Sequence, residues 1–142
     1  MLVDANLLLF AVDEKSPYNE RAVAWLSSQL SGPRRVGLPW QTLTAFLRVV
    51  THARLGPQPL SPDQAWAQVR DWLAAEVTWI PPPTERHASV LGELVRSYHL
   101  RGKLIPDAEL AALAIEHGLT IYSADTDFAR FREIEWVNPL AA

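Results

Sequence analysis

Short apolar runs alternate with amphipathic stretches along almost the whole chain, and this alternation restricts the folds that the chain can adopt. Apolar runs typical of strands occupy 1–4, 34–39, 77–80, 119–123 and 134–137. Helical patterns follow the first strand and then occupy 16–30, 40–56, 60–76, 84–98 and 106–118, with a helical turn at 125–131. Strands that are apolar throughout are buried on both faces. The order therefore predicts an α/β fold with a central, mostly parallel sheet and helices on both faces.

Three helix ends carry recognisable sequence signals. Ser61 and Gln64 form the pattern of a capping box, with a proline at the first helical position. Ser16, which also precedes a proline, is expected to cap the helix that follows it. Gly118 is expected to end the apolar helix before it, because glycine adopts the left-handed conformation of a C-terminal cap at little cost.

Composition restricts the class of protein further. The 142 residues are 49% hydrophobic and include no cysteine, which predicts one domain spanning 1–142 and is consistent with the reducing cytoplasm. No apolar run approaches the roughly 20 residues that a membrane span needs, so we expect a soluble protein. The formal net charge of −3 argues against tight, sequence-independent binding of nucleic acid through a basic surface. The same net charge is compatible with an enzyme that acts on nucleic acid.

Carboxylates stand at the ends of predicted elements in three separate parts of the sequence. Asp4 follows the first strand, Asp125 and Asp127 follow the strand at 119–123, and Asp107 opens an apolar helix. Ligands of open α/β sheets bind beyond the carboxyl ends of the strands, where two of these positions fall. Asp107 could instead be a cap or first-turn acid, and Asp125 and Asp127 could be turn formers. Asp4 fits such an explanation least, because a carboxylate among so many apolar neighbours needs a partner.

If these acids converge, their mutual repulsion needs a cation. Two carboxylates about 4 Å apart repel by roughly 4 kcal/mol at an effective dielectric constant of 20. Mg2+ would offset this repulsion, because it prefers oxygen ligands and needs only a few carboxylates. Zinc is not expected, because the chain has no cysteine and its histidines show no metal-ligand spacing; they are His52, His87, His99 and His117. A metal held by carboxylates activates water next to a phosphodiester, so the predicted reaction is hydrolysis of a phosphate ester.

The stretches that carry these acids resemble the PIN-domain family, and within it the VapC-type toxins of bacterial toxin–antitoxin pairs. The matching stretches are MLVDAN, LPWQTLTAFLRVVTHAR, IPDAELAALAIEHG and IYSADTDFARF, which together span nearly the whole chain. The resemblance implies a three-layer α/β/α domain and an endoribonuclease that depends on Mg2+ or Mn2+ and cleaves RNA. It also implies neutralisation by a cognate VapB-type antitoxin, and a homodimer.

The resemblance further implies roles for individual residues. By position, three acids match metal ligands of the family and a fourth matches an acid that assists catalysis; the three are Asp4, Asp107 and Asp125, and the fourth is Asp127. Asn6 matches a polar residue beside the first acid, which it is expected to orient by hydrogen bonding. Ser123 matches a hydroxyl position close to the site.

One position departs from the family pattern. Many PIN sequences have a glutamate in the middle helix, where this chain has Ala45. Either the remaining acids suffice, or another acid such as Glu109 substitutes, or activity is weak. Glu109 lies two positions after Asp107, about 200° around a helix, and therefore points largely away from it.

Two alternative functions follow from single positions. Ala45 is consistent with a PIN-like module that binds RNA or a protein partner without efficient catalysis. A phosphohydrolase with an aspartate nucleophile on the first strand is disfavoured. Its chemistry typically needs a second aspartate two residues later, where this chain has Asn6.

A basic segment precedes the helix of Asp107. It spans 96–103, and its cations Arg96, Arg101 and Lys103 are candidate contacts to RNA phosphates, although the segment could also be a solvated loop. Arg48, on the middle helix, is a candidate contact to RNA or to an antitoxin.

Overall fold

A five-stranded sheet forms the centre of the molecule. The computed structural model describes residues 1–52 and 59–141. The strands are β1 Leu2–Val3, β2 Val36–Gly37, β3 Thr78–Trp79, β4 Ile121–Tyr122 and β5 Trp136–Val137. Their order across the sheet is β3-β2-β1-β4-β5, and all four pairings between neighbouring strands are parallel. The predicted parallel sheet is confirmed.

Six α-helices and one 3-10 helix connect and cover these strands within the described residues. They are α1 Ala5–Val12, α2 Asn19–Leu30, α3 Trp40–Val50, α4 Pro62–Ala74, α5 His87–Ser97, α6 Leu104–His117 and the 3-10 helix Thr126–Arg130. The predicted continuation of the middle helix through 53–56 lies outside the described residues. Among residues 1–52 and 59–141, no helix combines the length and apolar character needed to cross a membrane.

Helices cover both faces of the sheet, which gives the predicted three-layer α/β/α arrangement. The two residues of β1 point to opposite faces, as neighbouring residues of a strand do. Val3 belongs to the core formed with α1, α2, α3 and α4, while Leu2 belongs to the core formed with α5, α6 and the 3-10 helix. Both side chains are fully buried, as expected for the central strand of a parallel sheet.

Two of the predicted helix ends are confirmed. Ser61 Oγ accepts from the backbone N–H of Gln64 at 3.1 Å, and Gln64 Oε1 accepts from the N–H of Ser61 at 3.0 Å, which completes the capping box of α4. Gly118 follows the last residue of α6 with φ of 65°. That left-handed conformation is why a glycine stands there.

The predicted start of α2 at Ser16 is wrong, since the helix begins at Asn19. The Ser16 hydroxyl instead accepts from the N–H of Tyr18 in a turn. The Asn19 side chain donates to the carbonyl of Phe10 at 2.9 Å, so a bond to the end of α1 fixes where α2 begins. Helix α6 begins at Leu104, two residues earlier than predicted.

A buried carboxylate on α6 anchors the segment that leads into α5. Glu116 has a fully buried side chain, and its Oε1 accepts from the N–H of Thr84 at 2.8 Å and from the Thr84 hydroxyl at 2.6 Å. Its Oε2 lies 2.6 Å from Nδ1 of His87. Burial raises the pKa of Glu116, but the hydrogen bonds from Thr84 and His87 outweigh it and hold the pKa below its ordinary value. This network joins α6 to the start of α5 and has a structural role, at a distance from the carboxyl edge of the sheet.

The pairing of β1 with β4 determines which residues meet at the carboxyl edge of the sheet. Leu2 is in register with Ile121, and Val3 with Tyr122. The next residues along the two strands, Asp4 and Ser123, therefore leave the sheet side by side.

Candidate active site

Asp4 is fixed by hydrogen bonds at both carboxylate oxygens. It caps α1, where its Oδ1 accepts from the N–H of Ala5 at 2.8 Å. Its Oδ2 accepts from the Ser123 hydroxyl at 2.7 Å and from the Asn6 side-chain amide at 3.3 Å. Capping thus uses one oxygen, and the other is held at the end of β4.

Ser123 uses its full hydrogen-bonding capacity at this point. The side chain is fully buried. In addition to donating to Asp4, its Oγ accepts from the Asn6 amide at 3.0 Å and from the N–H of Asp125 at 3.0 Å. A hydroxyl has one donor and two acceptor sites, so none is left over. The hydroxyl therefore connects the end of β1 to the loop that carries the later acids.

Asp125 opens the 3-10 helix that follows β4. Its Oδ1 accepts from the N–H of Asp127 at 2.8 Å, which is the turn-forming role that the sequence also allowed. Its Oδ2 accepts no hydrogen bond from the residues that the structure describes. One oxygen thus shapes the turn and the other is available to a ligand.

Asp107 approaches the same point from the first turn of α6. Asp107, Asp125 and Asp127 each offer one carboxylate oxygen, and these three oxygens all lie within 4.8 Å of one another. We call these residues the acidic trio. Asp4 lies outside it but close enough that its charge affects Asp107. The structure thus gathers all four predicted acids at one end of the sheet.

The pKa values report negative charge that the protein does not compensate. Burial, followed by the charges of Asp125, Asp4 and Asp127, raises the pKa of Asp107 to about 6, and Arg130 partly opposes this. Burial also raises the pKa of Asp4, and Asp125 adds to the shift, while the bond from Ser123 opposes it. No donor among residues 1–52 and 59–141 binds the Asp107 carboxylate. A cation at this point would relieve the repulsion.

The donor set suits a hard divalent cation. The groups available are carboxylate oxygens, which Mg2+ and Mn2+ prefer. An octahedral Mg2+ with ligands at about 2.1 Å holds neighbouring oxygens about 3 Å apart and opposite oxygens about 4 Å apart. The acidic trio needs only small side-chain movements to reach that spacing. The residues present therefore fit such an ion.

Ala45, at the position where the family resemblance predicts a glutamate, is half-buried on α3. Glu109 does not compensate for it, because no group of potential ligands found in the described part of the chain includes Glu109. The third carboxylate of the trio comes from Asp127 instead. The 3-10 helix after β4 thus supplies two acids to the site.

The predicted basic residues are not brought to the acids. Arg96 is exposed and pairs with Glu93 on α5 at 3.4 Å. Arg101 and Lys103 are exposed before α6, and Arg48 is exposed on α3. None of the four forms a hydrogen bond or ion pair with a carboxylate of the site, as far as the described residues show. Their contact with RNA stays a prediction.

Sequence analysis missed Arg130, the last residue of the 3-10 helix. Its Nη2 lies 3.4 Å from Asp127 Oδ1, and its charge lowers the pKa of Asp107. The spacing of three residues from Asp127 is the signal that could have identified it, because such pairs are neighbours on a helix. Gln41 was also missed: its Nε2 donates to the carbonyl of Pro106 at 2.6 Å and so ties the start of α3 to that of α6.

Comparison with known proteins agrees with this architecture. Ribonuclease VapC37 of Mycobacterium tuberculosis is 44% identical over 140 residues, covering 99% of this chain and 97% of that protein. Ribonuclease VapC33 of the same species is 38% identical over 140 residues, covering 99% and 98%. VapBC2 from Rickettsia felis, solved bound to a DNA fragment from their promoter, superposes with a TM-score of 0.71 at 15% identity, over 96% of each chain. That likeness shows the fold.

The family follows from the sequence match. The PIN domain profile matches residues 1–134, which include all four acids together with strands β1 and β4. With that match and the 44% identity to a relative over nearly its full length, the chain belongs to the PIN domain family.

Proposed function

We propose that this protein is a metal-dependent endoribonuclease of the VapC toxin type, neutralised by a VapB-type antitoxin, and that residues 1–142 act as one PIN-like domain. The observation that carries the proposal is the acidic trio at the carboxyl edge of a PIN-domain sheet, with its oxygens within 4.8 Å of one another. The names of the relatives support the reaction, because ribonucleases VapC37 and VapC33 share 44% and 38% identity with this chain.

Mg2+ or Mn2+ is the proposed cofactor. Asp4, Asp107 and Asp125 are the proposed ligands, and Asp127 is the assisting acid; its position in the trio makes it a fourth candidate ligand. When bound, such an ion lowers the pKa of a coordinated water and stabilises charge on phosphodiester oxygens.

Hydrogen bonds within the chain position the acids before a ligand binds. Asn6 and Ser123 hold Asp4 in one orientation, so little side-chain freedom is lost when a ligand binds. Because the pKa of Asp107 is raised to about 6, the group is partly protonated below neutral pH, and a cation at the site favours its ionised form. Metal binding is therefore expected to weaken as the pH falls below about 6.

A cleavage assay with matched variants tests the proposal. Purified protein is incubated with total RNA and Mn2+, alongside Asp4→Asn and Asp71→Asn. Asp71 is exposed on α4, so its substitution changes the net charge equally without altering the site. We expect cleavage by wild type and Asp71→Asn, and a loss of about 100-fold in Asp4→Asn, because a proposed ligand of the ion is removed. Identical RNA patterns from wild type and Asp4→Asn would contradict an enzyme.

Ala45 favours one second candidate, a PIN-like module that binds RNA or protein without efficient catalysis. Three other carboxylates each place an oxygen within 4.8 Å of the other two at the site, which is why we rank catalysis first. A gel shift with Mn2+ distinguishes the two functions. A binding module retards the RNA and leaves it intact, and wild type and Asp4→Asn then give the same intact RNA.

An RNA substrate in the cytoplasm, a cognate VapB-type antitoxin and a homodimer complete the proposal. The antitoxin is supported by the structural neighbour from Rickettsia felis, which was solved as VapBC2. Light scattering of the purified chain tests the homodimer, with twice the mass of 15.9 kDa expected. Addition of the antitoxin should abolish cleavage, and undiminished cleavage by the complex would contradict neutralisation.

A further inference from the structure

Arg130 is held at the edge of the acidic trio by two hydrogen bonds to one residue. Its Nε donates to the backbone carbonyl of Asp127 at 3.1 Å, and its Nη2 donates to Asp127 Oδ1 at 3.4 Å. The side chain is 37% exposed. The guanidinium therefore stands beside the carboxylates with one side open to solvent.

The two bonds leave most of the guanidinium donors unused. Arginine has five N–H groups, and only two of those of Arg130 have an acceptor among the described residues. The three others, both on Nη1 and one on Nη2, are available to a ligand. A planar pair of such donors matches the oxygens of a phosphate group.

The positive charge of Arg130 makes a phosphate the expected ligand, because the acids of the site would otherwise repel it. An RNA phosphodiester that approaches four carboxylates is repelled by them, and a divalent ion offsets only two of the four charges. Among the cations considered above, Arg130 alone contacts an acid of the site in the part of the chain that the structure describes. Its charge also lowers the pKa of Asp107.

We propose that Arg130 contacts a phosphodiester group of the RNA next to the acidic trio, a role that rests on the ribonuclease function proposed above. It is a substrate-binding residue in addition to a partner of Asp127. An ordinary ion pair three residues apart on a helix surface contributes little. The anchor at Nε is what distinguishes Arg130 from such a pair, because it fixes the guanidinium next to the site without using Nη1.

Steady-state cleavage of a short single-stranded RNA tests this role, with Arg130→Gln, Arg130→Lys and Arg132→Gln. Arg132 is the matched control, because it is exposed two residues away and its side chain has no partner among the described residues. We expect kcat/KM to fall about 10- to 100-fold in Arg130→Gln, the loss of a charge-assisted hydrogen bond. Arg130→Lys should recover part of the loss, and Arg132→Gln should stay within about threefold of wild type.

Salt dependence separates a phosphate contact from a structural role. Binding of the same short RNA is measured against salt concentration in the Asp4→Asn background, in which cleavage is expected to be lost, with and without Arg130→Gln. Removal of one phosphate contact should reduce the slope of log K against log salt by about 0.7. The affinity for Mn2+ should not fall in Arg130→Gln, because the substitution removes a positive charge that repels the ion. An unchanged slope together with weaker Mn2+ binding would assign Arg130 to holding Asp127 and overturn the proposal.

Equal kinetics of Arg130→Gln and wild type, while wild type cleaves RNA, would also overturn it and leave the ribonuclease function intact. If wild type neither cleaves nor binds RNA, the function itself fails and the role of Arg130 fails with it. Circular dichroism of each variant confirms that the comparison is between folded proteins.

Discussion

Removal of the Asp107 charge should stabilise the metal-free protein at neutral pH. The pKa of Asp107 lies at about 6 in the folded protein, against 3.8 as the ordinary value, because of burial and the neighbouring charges of Asp125, Asp4 and Asp127. The carboxyl group therefore ionises more readily in the unfolded chain. Its contribution to stability is fully present below pH 3.8 and is lost as the pH rises through about 6.

The size of this effect follows from the shift. About two pKa units correspond to about 3 kcal/mol, at 1.36 kcal/mol per unit. Asp107 is partly exposed, and solvent screening reduces this figure to about 1–2 kcal/mol. In Asp107→Asn, no ionisation occurs, so the free energy of unfolding should exceed that of wild type by about this amount at pH 7, with the difference shrinking towards zero below pH 3.8.

Urea denaturation in EDTA, followed by tryptophan fluorescence between pH 4 and pH 7.5, measures the difference. Titrating groups that do not interact with Asp107 are shared by the two proteins and cancel, so the difference reports Asp107 together with the acids coupled to it. Asp71→Asn, on the exposed face of α4, is the control and should parallel wild type at every pH. A difference between Asp107→Asn and wild type that does not grow from pH 4 to pH 7 would refute the claim of uncompensated charge at the site.

Two further predictions concern the hydrogen bonds around the site and beyond it. Ser123→Ala removes a buried hydroxyl that bonds Asp4, Asn6 and the N–H of Asp125, so we expect the free energy of unfolding in urea to fall by about 2–3 kcal/mol. The control Ser31→Ala, which loses one exposed local bond, should cost less than about 0.5 kcal/mol, and equal losses would contradict the network. Glu116→Gln should lower stability above pH 4.5, the ordinary pKa of that carboxyl, because the folded-state pKa lies lower. The deficit relative to wild type should shrink as the pH falls below that value, and a deficit independent of pH would count against an ionised Glu116.

Periodicity and parallel pairing account for what the sequence predicts well. The order of strands and helices follows from local patterns, and parallel neighbours end at one edge, so Asp4 and Ser123 could be expected to meet. A carboxylate has two acceptor oxygens, so one can accept a hydrogen bond from a helix end or turn while the other faces the site. Asp4 caps α1 with one oxygen and accepts from Ser123 with the other, while Asp125 forms its turn through one oxygen; their role as metal ligands stays a prediction.

Contacts between distant residues account for what the sequence did not predict. The start of α2 depends on a bond from Asn19 to the end of α1, which no local capping pattern reveals. The cations at 96–103 are close to Asp107 in sequence, but their side chains do not reach the acids in the described structure. Arg130 reaches them because the 3-10 helix turns it back toward Asp127.

Diffraction from a crystal soaked in Mn2+, with the anomalous signal of manganese, tests the central claim most directly. The account predicts one or two manganese positions with carboxylate oxygens of Asp107 and Asp125 in the coordination sphere, and with Asp4 or Asp127 completing it. Crystals of Asp125→Asn soaked in parallel should show weaker or no occupancy. Manganese found only elsewhere, or no anomalous peak beside these acids at millimolar Mn2+, would contradict a metal-dependent nuclease site at this edge of the sheet.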